Sequence, residues 1–110
     1  MRLTYVMKFV ADMDKAVAFY RDVMGLELRF ASPHWSEFET GETTLALHPA
    51  SERNPAGNAE LGFSVEDVDA FHREKTAEGV SFPRPPEDLH GSRLATLLDC
   101  EGSQVSVSQS

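Results

Sequence analysis

Tyr5-Val-Met-Lys-Phe-Val-Ala-Asp-Met-Asp-Lys-Ala-Val-Ala-Phe-Tyr-Arg-Asp-Val-Met-Gly-Leu-Glu-Leu-Arg-Phe30 reads as strand, helix, strand. An apolar extended run ends at Asp12. An acidic turn then opens a helix with Ala16, Val17, Phe19, Tyr20, Val23 and Met24 at helical spacing, and Gly25 stops it before Leu26-Glu-Leu-Arg-Phe alternates. The same design returns downstream. Glu60-Leu-Gly-Phe-Ser-Val-Glu-Asp-Val-Asp69 repeats the strand and its acidic turn, with Asp67-Val-Asp69 lying 55 positions after Asp12-Met-Asp14, half of the 110-residue chain. Such a repeat identifies an internal duplication and fixes the architecture before any finer reading.

Outward from that stretch, Leu3 to Val10 predicts a first strand with Tyr5, Met7 and Phe9 on one side and Thr4, Val6, Lys8 and Val10 on the other. Asp12 or Asp14 is suited to receive the free amides of the helix start. Leu26 to Phe30 is the next strand, broken by Ala31-Ser-Pro-His34, and Trp35 to Thr40 and Thr43 to His48 form a hairpin about Gly41-Glu42. Pro49 to Asn58 is a polar linker. The second copy runs Ala59 to Val65 (strand), Asp67 to Glu78 (helix), Val80 to Phe82 (short strand), Arg93 to Leu98 and Gln104 to Ser108 (strands). Between them, Pro83 to Ser92 with Pro83, Pro85, Pro86 and His90-Gly91 reads as a long loop, either a lid or a plain connection. The expectation is one α+β domain spanning residues 1–110. It consists of two βαβββ modules, roughly 3–48 and 59–108, joined by linker 49–58.

Bulk properties narrow the function classes. Each half alone would bury only about 60% of its unfolded surface, so the halves are expected to share a core and a homodimer would help further. No apolar run approaches the ~18 residues of a membrane span, and Met1-Arg-Leu-Thr4 lacks a signal-peptide core, so a cytoplasmic location is expected. A net charge of −8 argues against nucleic acid and anionic membranes as partners and leaves neutral or cationic small molecules. The single cysteine, Cys100, excludes an internal disulfide, and its neighbours Asp99 and Glu101 disfavour the thiolate a nucleophile needs. No Ser-His-Asp set, phosphate loop or dinucleotide fingerprint is present.

Two tandem βαβββ units, with Ala18-Phe-Tyr-Arg-Asp-Val-Met-Gly-Leu26 followed by alternation and a late Asp99-Cys-Glu-Gly-Ser-Gln-Val-Ser-Val107, resemble the vicinal oxygen chelate superfamily. This is the group of glyoxalase I, fosfomycin-resistance proteins, extradiol dioxygenases and bleomycin-resistance proteins. The family usually carries Asp-Pro-Asp-Gly where this chain has Asp99-Cys-Glu-Gly102. The resemblance implies a curled mixed sheet forming a cup, helices outside, and homodimers among small members. In metal-dependent relatives it implies a divalent cation held by His, Glu or Gln from the first and last strand of each unit.

Carried onto this chain, those positions are Tyr5, Ala46, Glu60 and Ser106, of which only Glu60 is an ordinary ligand. One carboxylate does not hold a divalent ion, so no cofactor is expected. His48, two residues beyond Ala46 and on the same face, offers with Glu60 a remodelled two-ligand metal site as the alternative. The ligand-binding set expected for the cup is Tyr5, Met7, Trp35, Ala46, His48, Glu60, Gly62, His90, Arg93 and Ser106, with Arg93 read as either a salt-bridge partner for Glu60 or an anion-binding group. His34 and His72 read as surface residues. Three functions follow: a metal-free binder of a small organic molecule of the bleomycin-resistance kind; a metal-dependent lyase or dioxygenase using His48 and Glu60; and a metal-independent enzyme using Glu60 and Tyr5 for proton transfer.

Overall fold

The computed structural model describes all 110 residues, with strands β1 (Arg2–Val10), β2 (Glu27–Phe30), β3 (Ser36–Glu39), β4 (Thr44–Pro49), β5 (Ala59–Val65), β6 (Arg84–Leu89), β7 (Ser92–Leu98) and β8 (Gln104–Gln109). Helix α1 (Met13–Ala18) follows β1 and helix α2 (Val68–Ala77) follows β5, so the βαβββ order repeats as the duplication requires. The chain forms two compact units, Tyr5–Ala59 and Glu60–Ser110, the latter joined by Met1–Thr4. Thr4 Oγ1 donates to the Gly62 carbonyl at 3.3 Å within that second unit. No helix is long and apolar enough to cross a membrane.

In the first unit the strands lie in the order β2-β3-β4-β1, with β1 parallel to β4 and the others antiparallel. Alternation sends Phe38 and Leu47 to one face, where Val17 of α1 closes a buried cluster that Val10, Met13, Tyr20, Leu28 and Leu45 surround. The helix is shorter than its apolar spacing suggests. After Ala18 the backbone widens into a π turn over Phe19–Val23, where the Met24 N–H reaches the Phe19 carbonyl at 3.0 Å. Downstream of β4, the linker returns to β1: the Phe9 N–H donates to Asn58 and the Gly57 N–H to Phe9, both at 2.9 Å.

The second unit repeats the pattern as β5-β8-β7-β6, with β5 parallel to β8. Val65, Val68, Ala95 and Val107 are its buried centre, with Phe63, Phe71, Phe82 and Leu97 around them. Here the sequence expectation needs correction. Val80–Phe82 is not a strand, and Pro83 to Ser92 is neither a lid nor an irregular loop. Residues Arg84–Leu89 form β6, paired antiparallel to β7 and turning through His90 and Gly91, whose φ values of 51° and 80° suit a tight two-residue hairpin. Pro85 and Pro86 are tolerated because β6 is paired on one side only within its unit and its register shifts between Arg84 and Glu87.

Candidate functional site

The face of the first unit turned away from α1 carries the residues that alternate with its core. On β1 these are Tyr5, Met7 and Phe9, and on β4 Thr44, Ala46 and His48, set opposite one another by register: Tyr5 with Thr44, Met7 with Ala46, Phe9 with His48. Ala46 is fully buried and Phe9 nearly so. Trp35, just before β3, lies between the two ends of this row. Its indole meets Tyr5 edge-on with ring centroids 6.2 Å apart and His48 at 6.1 Å, and His48 in turn meets Phe9 at 5.6 Å. The interplanar angles of 67°, 86° and 71° are the edge-to-face geometry aromatic quadrupoles favour. His48 Nδ1 lies 2.9 Å from the Pro49 carbonyl, which pins the imidazole at the strand end.

A polar chain runs from this aromatic row. The Trp35 Nε1–H donates to Glu37 Oε1 at 2.8 Å, and Glu37 Oε2 accepts from Arg29 at 2.8 Å. Arg29 also donates to Glu39 at 2.5 Å and to Thr44 Oγ1 at 3.3 Å. Arg29 occupies the irregularity in β2, between the pairs Leu28–Phe38 and Phe30–Glu37, and this local bulge aims it at both carboxylates. The Arg29 guanidinium, with the Gly41 N–H, holds the Glu39 carboxyl below the usual carboxylate range. Alternation places Glu37 and Glu39 on Trp35's face from sequence alone. Arg29 was missed, because a bulge in strand pairing has no local sequence signature.

In the second unit the face away from α2 carries Glu60, Gly62 and Ser64 on β5, with Ser106 and Ser108 opposite Gly62 and Ser64 on β8. Glu60 is half-buried and engaged, not an isolated carboxylate. Arg93 lies elsewhere. It shares a side of β7 with Ala95, which packs on α2, and its guanidinium clasps Asp69 at 2.8 and 3.2 Å and Asp88 at 3.4 Å. The Arg93 hydrogen bond holds the Asp69 carboxyl below its usual range. Arg93 is therefore a tie between helix and sheet on the helix side. His90 sits exposed at the β6–β7 turn, His34 is exposed, and His72 packs edge-on against Phe82 at 4.7 Å. Cys100 is exposed in the β7–β8 turn.

The positions expected to hold a metal do not fit one. Ala46 is buried and has no donor, Tyr5 leans on Trp35, and Ser106 faces Gly62 in a register of small residues. No three His, Cys, Asp or Glu side chains converge as a metal-binding group. Beside the start of α1 an open groove of about 370 Å³ is lined by Lys8, Phe9, Asp12, Lys15, Phe19 and Tyr20, among others.

Residues 2–107 match the family model described as Glyoxalase/Bleomycin resistance protein/Dioxygenase superfamily. An uncharacterized protein of Mycolicibacterium smegmatis is 29% identical over 93 residues, which is 84% of this chain and 79% of the relative. Among solved structures, hypothetical protein BH1468 from Bacillus halodurans superposes with a TM-score of 0.79 at 19% identity over 99% of this chain and 94% of that one. Methylmalonyl-CoA epimerase from Mycobacterium tuberculosis does so with a TM-score of 0.78 at 20% identity, over 98% and 87%. At these identities the structures establish a shared fold, and with it the α+β tandem βαβββ class.

Proposed function

The chain belongs to the Glyoxalase/Bleomycin resistance protein/Dioxygenase superfamily, and from that premise we propose that it binds a small organic molecule on the helix-free sheet face of its first unit without a resident metal. The observation that carries this reading is the aromatic row with Trp35 at its centre and a hydrogen-bonded carboxylate behind it. An unsaturated ring laid on the indole gains apolar burial and stacking, and the polar chain behind keeps the indole from rotating away. Arg29 carries one positive charge against two carboxylates, Glu37 and Glu39, so the cluster keeps a net negative charge. Together with the −8 of the whole chain, this favours a neutral or cationic ligand, for which the ring faces add a cation–π attraction. The second unit by itself presents Glu60, Gly62 and Ser106 on its own helix-free face as the polar and small residues proposed for ligand contact there; Arg93 leaves the set because it is committed to Asp69.

A thermal-shift screen of aromatic and cationic compounds against the purified protein tests this reading. A hit that raises the melting temperature of the wild-type protein but not of Trp35→Ala supports it. A hit unaffected by both Trp35→Ala and Glu60→Gln removes the placement. The metal-dependent alternative, with His48 and Glu60 as ligands, would be supported instead by stoichiometric binding of Ni²⁺, Zn²⁺, Mn²⁺ or Fe²⁺ that Glu60→Ala abolishes. We also propose a homodimer in a cytoplasmic setting. Exposed Phe19, Val23, Met24 and Phe30 on the first unit supply apolar surface for a second copy to cover.

A further inference from the structure

We infer that Glu37 is a positioning residue that acts through Trp35, and that Arg29 is its anchor. Glu37 is the least exposed member of the ion-pair network, its side chain only 14% accessible, against 40% for Arg29 and 42% for Glu39. Its two oxygens are both committed, one to the Trp35 indole N–H and the other to the Arg29 guanidinium, each at 2.8 Å. A carboxylate whose two oxygens are both engaged is poorly placed to contact a ligand directly. What it does is fix the indole plane in the slot between Tyr5 and His48. Without that acceptor the indole N–H would need water or another rotamer, and the ring would lose its fixed angle. Arg29 supplies the other half of the device. Its bulge position lets it grip Glu37, Glu39 and Thr44 at once, so the rotamer of Glu37 is set by three strands of the first unit. The specificity of this surface is thereby set by residues that need not touch the ligand. This deepens the proposed binding role and rests on it only where a ligand is used.

Trp35 is the only tryptophan, so its emission and its single indole N–H resonance report on this bond without interference. In ligand-free protein, solvent exchange of that indole proton and quenching of its emission by acrylamide are compared for wild type, Glu37→Ala, Glu37→Asp and Glu37→Gln. Glu37→Ala should exchange at least about tenfold faster, the scale of a lost charge-assisted hydrogen bond, and show a red-shifted, more quenchable emission. Glu37→Asp, one methylene shorter, should also exchange faster than wild type and carries the test if the alanine variant fails to fold, whereas Glu37→Gln keeps one acceptor oxygen for the indole but turns its NH2 toward the Arg29 donors and should fall between wild type and the alanine variant. Wild-type-like exchange and emission in Glu37→Asp, or in a folded Glu37→Ala, would overturn the inference. A screen hit whose affinity falls in Glu37→Asp and falls less in Glu37→Gln extends it to binding. If the optical and exchange changes appear but no compound responds to Trp35→Ala, the positioning stands and the binding role fails.

Discussion

Trp35 meets Tyr5 and His48 by ring edges and Glu37 by its N–H, so three contacts decide where one indole sits. Removing it with Trp35→Ala should weaken binding of a screen hit by roughly tenfold or more, since an aromatic anchor contributes both buried area and ring geometry; calorimetric titration reads this directly. Much of this residue-level picture was legible in the sequence. Trp35, Glu37 and Glu39 share a face by alternation, whereas the meeting of Tyr5 with Trp35 across β4 depends on the strand order β3-β4-β1, which no local pattern reveals. Two residues were not read correctly. Arg29 escaped because it sits in a pairing irregularity. Arg93, which the sequence leaves open between a partner for Glu60 and an anion-binding group, is turned by the alternation that places Ala95 and Leu97 against α2 to that side, where Asp69 lies at 2.8 Å.

At the level of elements, the two acidic turns do the same work twice. Asp12 Oδ1 accepts from the Lys15 N–H at 3.1 Å and Asp67 Oδ1 from the Ala70 N–H at 3.0 Å, each capping the helix that follows. Asp67→Ala should therefore cost about 1 kcal/mol of stability in urea unfolding, with little change in the slope of the transition. The elements are also tied by ion pairs: Asp69–Arg93 joins α2 to β7, and Glu39–Arg29 joins β3 to β2. Both carboxyls lie below their usual range in the folded protein, so their stabilising effect is complete above the unfolded values near 4 and is lost as the pH falls through the lower folded values. The urea midpoint should accordingly drop in acid, more steeply in low salt, and Arg93→Gln should flatten that dependence. The repeat made α1, α2 and most strands predictable. It misled at Val80–Phe82 and Pro83–Ser92, because three prolines argue against a strand unless the strand stands at an edge, and edge position is set by tertiary pairing.

For the molecule as a whole, the sequence displays a duplicated chain, and the structure returns two compact units, each with one face buried under a helix and one face free of it. The first four residues group with the second unit, a division the repeat does not reveal. Light scattering tests the proposed homodimer, which predicts about twice the 12.2 kDa chain mass; a mass near 12.2 kDa contradicts it. On the proposed function, the helix-free face of the first unit takes an organic ligand without a metal. Its most direct test is a titration of Trp35 emission with a screen hit in chelator-treated protein. The expected result is a saturable change in emission, with the same midpoint before and after chelation. A response that vanishes with the chelator and returns with a divalent ion, or saturable binding that leaves Trp35 emission unmoved, would contradict it.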